Sequence, residues 1–168
     1  MEWTRSQLLR EVQNVTFDED VVIDASAFAG DSGIVSAEDV HVEGNGYFDA
    51  DEERFYISMN ISGVMICPDA ITGKEIEVPF ETDSSEVYVF EETDEDGVRI
   101  VTDDVISLLP AVIDAIMLEV PLQVTEAEEN EYPQGDGWRI YSEAAYEESR
   151  KDRLDPRLAK LKQFTDDE

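Results

Sequence analysis

The chain has 168 residues, 42% of them hydrophobic, and sets 42 Asp and Glu against 12 Lys and Arg for a formal charge of −30. A chain of this length fits one domain with an added tail and can remove roughly 70% of its extended surface from water on folding, and its segments of periodic Val, Ile, Phe and Tyr are too apolar for a fully solvated coil. The charge excludes duplex binding as a property of the whole surface, because phosphate contacts need clustered cations, and it favours basic proteins as partners. One cysteine, Cys67, excludes an internal disulfide framework, and no apolar leader follows Met1-Glu2-Trp3-Thr4-Arg5. A soluble, cytoplasmic protein without a membrane segment is expected.

In chain order, residues 4 to 12 predict a short helix carrying Leu8, Leu9 and Val12, with Thr4 or Ser6 as its N-cap. From about 15 to 101 the period becomes two. Phe55, Ile57, Met59 and Ile61 alternate with Arg54, Tyr56, Ser58 and Asn60, as a half-buried strand requires, and Val40 and Val42 flank His41 in the same way. Further strands are expected at 75 to 81, 86 to 90 and 98 to 101. Turns are expected at Gly44-Asn45-Gly46, Asp49-Ala50-Asp51-Glu52, Thr72-Gly73-Lys74 and Asp94-Glu95-Asp96-Gly97, so the pairing should be antiparallel.

At Ser107, the expected N-cap, the spacing turns helical. Leu109, Val112, Ile113, Ile116 and Val120 share one face, Pro110 fits the first turn and Pro121 stops the helix. Residues 125 to 141 are rich in Glu, Pro and Gly and read as an acidic loop or linker. A helix should start at Ser142 and run toward Lys151. The last helix starts at Asp155, an N-cap followed by proline at the first helical position. The expected fold is α+β: an antiparallel sheet or partly closed barrel packed by a central helix over 1–124, with an N-terminal helix, the linker, and a helical tail over 142–168.

The charge is segregated. Residues 150 to 162 hold six of the twelve Lys and Arg against Asp152 and Asp155, a local +4 in a chain of −30. Asp155, Pro156, Arg157, Leu158, Lys160, Leu161 and Lys162 are therefore the candidate partner-binding residues. They fit docking on the chain's own acidic domain as well as contact with a partner. Elsewhere the signals are weaker. Glu92 to Gly97 with Asp103 echoes a calcium loop but has the wrong first and last ligands and Arg99 inside it, so a solvated hairpin turn is expected. His41 is the only histidine; its place on the polar face fits an exposed or locally hydrogen-bonded residue, with a catalytic base as the alternative. Cys67 ends an apolar strand and reads as a small buried residue. Gly44-Asn45-Gly46 does not make a phosphate-cradling loop. No catalytic, cofactor or metal residues are expected.

Several segments resemble the bacterial YceD family, the large ribosomal RNA subunit accumulation proteins. They are Asp155-Pro156-Arg157-Leu158-Ala159-Lys160-Leu161, Leu108-Leu109-Pro110-Ala111-Val112 through Leu118-Glu119-Val120-Pro121, and Val42-Glu43-Gly44. Gly135-Asp136-Gly137-Trp138 followed by Tyr141-Ser142-Glu143 is similar to the form found in lactic acid bacteria and their relatives. Many members of the family carry C-x-R-C-L where this chain has Cys67-Pro68-Asp69-Ala70-Ile71, and a later cysteine cluster that residues 122 to 153 lack, so no metal site carries over. The resemblance implies a non-enzymatic role in accumulation of large-subunit (23S) ribosomal RNA. Acidity adds the expectation that the sheet domain holds a basic ribosomal protein or large-subunit precursor, with RNA reached, if at all, through the C-terminal helix. The alternative is an acidic binding module or nucleic-acid mimic that inhibits a basic protein.

Overall fold

A computed structural model describes residues 1–10, 14–30 and 33–152. The chain divides into two compact units, Met1–Val124 and Thr125–Glu168. In the first, β1 (Glu2–Thr4) leads into α1 (Arg5–Arg10), where Leu8 is buried and Leu9 exposed; Val12 lies outside the described residues. Then come β2 (Asn14–Val21), β3 (Ser36–Asp49), β4 (Arg54–Pro68) and β5 (Glu75–Val89), followed by the short β6 (Arg99–Ile100) and β7 (Val105–Ser107) and by α2 (Leu109–Glu119). Strands dominate and helices accompany them, an α+β architecture.

The main sheet has the order β2-β3-β4-β5-β6 and is open, not a barrel. Its first four strands pair antiparallel. β6 instead runs parallel to β5 over two residue pairs, which makes the sheet mixed and turns the acidic segment 90–98 into a crossover rather than a hairpin turn. β1 and β7 form a separate two-stranded ribbon.

Three strands are far longer than local signals suggest. Gly44-Asn45-Gly46 is not a turn; it lies inside β3. A Cβ on Gly44 would stand 2.3 Å from the Ser58 carbonyl oxygen and 2.8 Å from the Phe17 ring, and one on Gly46 would stand 2.8 Å from the Phe55 ring. These glycines let aromatic rings cross the strand, a close approach only glycine permits. Likewise 75–81 and 86–90 are one strand, because β4 pairs with β5 from Pro68↔Glu75 to Arg54↔Val89 and carries the poor strand formers Asp83, Ser84 and Ser85 through. The expected turns at 49–52 and 72–74 are present; Asp49 closes the first by accepting from the Asp51 and Glu52 N–H groups.

β3 also bulges. Its register against β4 shifts by one residue between Glu38 and His41, and Asp39 takes a positive φ of 50° there. Past the bulge, Val40, Val42 and Phe48 join Phe17, Phe55, Ile57, Met59, Ile61 and Met65 on the buried face. Trp3 meets the rings of Phe17 and Phe55 at 5.8 and 5.7 Å.

α2 contributes Ala111, Val112, Ala115 and Ile116 to that core. The buried stripe is thus turned from the one expected: Leu109 is exposed, and two alanines supply the inward positions next to Val112 and Ile116. Ser107 is not the N-cap, because β7 carries it into a pair with Glu2; Leu108 holds that position without a side-chain bond. In the second unit, the segment read as linker contains a hairpin, β8 (Gln134–Gly135) with β9 (Trp138–Arg139), turned by Asp136 and the left-handed Gly137 (φ 83°). α3 (Glu143–Asp152) follows, and the Ser142 hydroxyl accepts from the Ala145 N–H at 3.1 Å.

Candidate interaction surface

Antiparallel register gathers side chains that are far apart in sequence. On the outer face, Asp20 lies opposite His41, His41 opposite Ser62, and Ser62 opposite Glu81; one step along, Asp18 faces Glu43, Glu43 faces Asn60, and Asn60 faces Asp83. These two rows cross four strands at a spacing of about 4.8 Å per strand. All five carboxylates are exposed. The next rows are neutral and then aromatic: Thr16, Asn45, Ser58 and Ser85, followed by Tyr47 opposite Tyr56, both exposed. A shallow depression of about 630 Å³ lies here, lined by Asp18, Glu43, Asn45, Ser58, Asn60 and Asp83 among others.

Few positive groups neutralise this face. Asn60 donates to Glu81 and Asp83 at 3.4 and 3.1 Å. His41 places Nδ1 2.8 Å from Asp20 Oδ1 and Nε2 3.4 Å from Asp18 Oδ1. The Asp20 hydrogen bond, aided by the charges of Asp18, Asp20 and Glu43, raises the imidazole pKa above its ordinary 6.5. His41 is thus a half-exposed, locally hydrogen-bonded residue. The arginines of this unit that form ion pairs do so away from the two rows: Arg5 with Glu53 and Asp104, Arg54 with Glu52 and Glu95, and Arg99 with Glu86 and Asp114. What the rows offer is a field of negative charge beside two tyrosines, which suits lysine and arginine through charge and through contact with the ring faces.

The corner between β4 and β5 is structural. Cys67 is buried, and desolvation pushes its thiol pKa up, away from reactivity. Asp69 is buried as well, and its Oδ1 accepts from the Ile71 and Thr72 N–H groups, both at 2.8 Å, fixing the turn.

The residues singled out from sequence, Asp155, Pro156, Arg157, Leu158, Lys160, Leu161 and Lys162, lie outside the described residues. Sequence reasoning missed the acidic face. Its one available signal was the i, i+2 spacing of Asp18 with Asp20 and of Glu81 with Asp83, which meets Asn60, Glu43 and His41 only through strand pairing.

Fold and surface together define a small α+β protein with an open sheet, apolar and helix-covered on one face and acidic on the other. The chain belongs to the YceD family, whose sequence model, described as "Large ribosomal RNA subunit accumulation protein YceD", matches residues 57–165. That range takes in Asn60, Glu81, Asp83 and the Asp155–Leu161 motif, while Asp18, Asp20, His41 and Glu43 precede it. The chain is also 35% identical over 172 residues to "Uncharacterized protein YlbN" of Bacillus subtilis (strain 168), covering 98% of this chain and 96% of that protein. No solved structure matches the chain. Among the described residues, no helix is long and apolar enough to cross a membrane.

Proposed function

We propose that the protein is a non-enzymatic ribosome-assembly factor that supports accumulation of 23S ribosomal RNA by holding a basic ribosomal protein or assembly intermediate. The observation that carries this reading is the pair of carboxylate rows, Asp18, Asp20 and Glu43 with Glu81 and Asp83, beside Tyr47 and Tyr56 on an exposed sheet face. Ribosomal proteins carry dense lysine and arginine for RNA, and until RNA is bound those charges need a screen. An acidic face can provide it and release its cargo to the stronger polyanion. The family's description supplies the ribosomal context. The segment from Asp155 to Lys162, with its opposite charge, offers a second contact to RNA or to an acidic surface.

The test joins capture to a cellular readout. Affinity capture with the wild-type chain should enrich large-subunit proteins or precursors, and Glu81→Lys with Asp83→Lys should lose them. Cells lacking the gene should show a lowered ratio of large- to small-subunit ribosomal RNA. An unchanged ratio with normal subunit profiles would remove the proposal, and capture of a single nucleic-acid enzyme would replace it with a charge mimic.

A further inference from the structure

His41 sits among carboxylates in an arrangement that holding a basic partner does not require. Asp18, His41 and Glu43 each bring one donor atom to within 4.8 Å of the others. The pairing of β2 with β3 sets Asp18 directly opposite Glu43, two like charges face to face across a ladder, which costs stability unless a cation lies between or beside them. Next to that pair, Asp20 holds His41 Nδ1 at 2.8 Å. In the neutral ring this contact keeps the proton on Nδ1 and leaves the Nε2 lone pair on the side of Asp18, whose Oδ1 is 3.4 Å away.

That separation has a meaning. Two ligands placed about 2.1 Å from a tetrahedral ion stand about 3.4 Å from one another, so the His41 and Asp18 donors already have the spacing of a shared ion. Asp20 takes the outer place, where a carboxylate fixes the tautomer and the direction of a ligating imidazole. Glu43 is exposed and brings a carboxylate oxygen to within 4.8 Å of both other donors, on the side of the third position.

We propose that Asp18, His41 and Glu43 form a surface site for a divalent transition ion of the Zn²⁺ class, with Asp20 as the positioning residue. One imidazole nitrogen with two carboxylates selects such an ion over Mg²⁺ and Ca²⁺, which prefer oxygen alone. Three protein ligands leave a fourth position for water or for a side chain of a docked protein. The site is independent of any ribosomal partner, since all its donors and the positioning carboxylate belong to this chain.

The experiment titrates the full chain with Co²⁺, and then with Zn²⁺ in competition, by calorimetry and visible absorption. Excess Mg²⁺ is present throughout to fill the diffuse acidic surface. One ion per chain should bind, with the His41 ring nitrogen shifted in NMR spectra. His41→Gln should weaken binding at least tenfold, Asp20→Ala on the order of tenfold, and Glu92→Gln, in a distant loop, should leave it unchanged. Circular dichroism checks that each variant is folded. Loss of affinity as large in Glu92→Gln as in His41→Gln, or no saturable binding above Mg²⁺, would overturn the site.

Discussion

Along β4, Phe55, Ile57, Met59 and Ile61 are almost wholly removed from water, while Tyr56, Ser58 and Asn60 between them stand on the opposite face. The two faces of the sheet are written into alternate positions of the same strands and differ in every physical respect. The inner face meets α2 and the Trp3 ring, and its side chains hold the fold together. Among the described residues, the outer face answers its carboxylate rows with His41 and Asn60 but with no arginine ion pair. Because a strand assigns each residue to one side or the other, folding and the proposed recognition are separable here by substitution, residue by residue.

The largest effect should come from the inner face. Phe55 is fully buried and touches Phe48 and Trp3, so Phe55→Ala should cost about 3–5 kcal/mol, read as a lowered denaturation midpoint. Gly44 lies on the inner face opposite Phe17 and Met59, and Gly44→Ala drives a Cβ into the Ser58 carbonyl and the Phe17 ring, with an expected loss of about 1–3 kcal/mol. The outer face should behave oppositely: Glu81→Lys with Asp83→Lys should move stability by no more than about 0.5 kcal/mol while abolishing partner capture. If that pair unfolds the protein, the separation of the faces fails. The smallest effect is a titration.

His41, raised by its Asp20 bond, should titrate above 6.5 in NMR spectra of the metal-free chain, and Asp20→Ala should bring the midpoint down. The sign follows from the direction of the shift. The stability His41 gives is fully present below about 6.5 and fades as pH climbs through the raised value.

Much of the inner face is legible in the sequence, since Phe55 to Ile61 alternates cleanly and the central helix announces itself through Pro110 and its apolar spacing. The failures have particular causes. Gly44-Asn45-Gly46 is locally identical to a turn, and only the rings of Phe17 and Phe55, which arrive from other strands, explain glycine inside a strand. Asp83, Ser84 and Ser85 resemble a break, and only pairing with β4 makes them strand. Ser107 is an attractive cap by type, yet Glu2, more than a hundred residues earlier, claims it for a ribbon. The acidic face was hidden for the same reason. No segment of the chain contains it, because Asp18, Glu43, Asn60 and Asp83 become neighbours only when four strands align.

The bulge at Asp39 bears on how this surface can change. If the same sequence ran as a regular strand without the bulge, the alternation that puts Ala37 inside would put Val40 and Val42 outside and send His41 and Glu43 into the core. Gly63 lies against the bulge, 3.0 Å from the Glu38 carbonyl oxygen by the position a Cβ would take, and leaves room for it. Asp39 therefore works as a reading-frame setter for half a strand. Deleting that one residue would leave a regular strand with Val40 and Val42 still lining the core and His41 and Glu43 still coating it, so the bulge lets β3 carry one residue more than its partner without exchanging lining for coat.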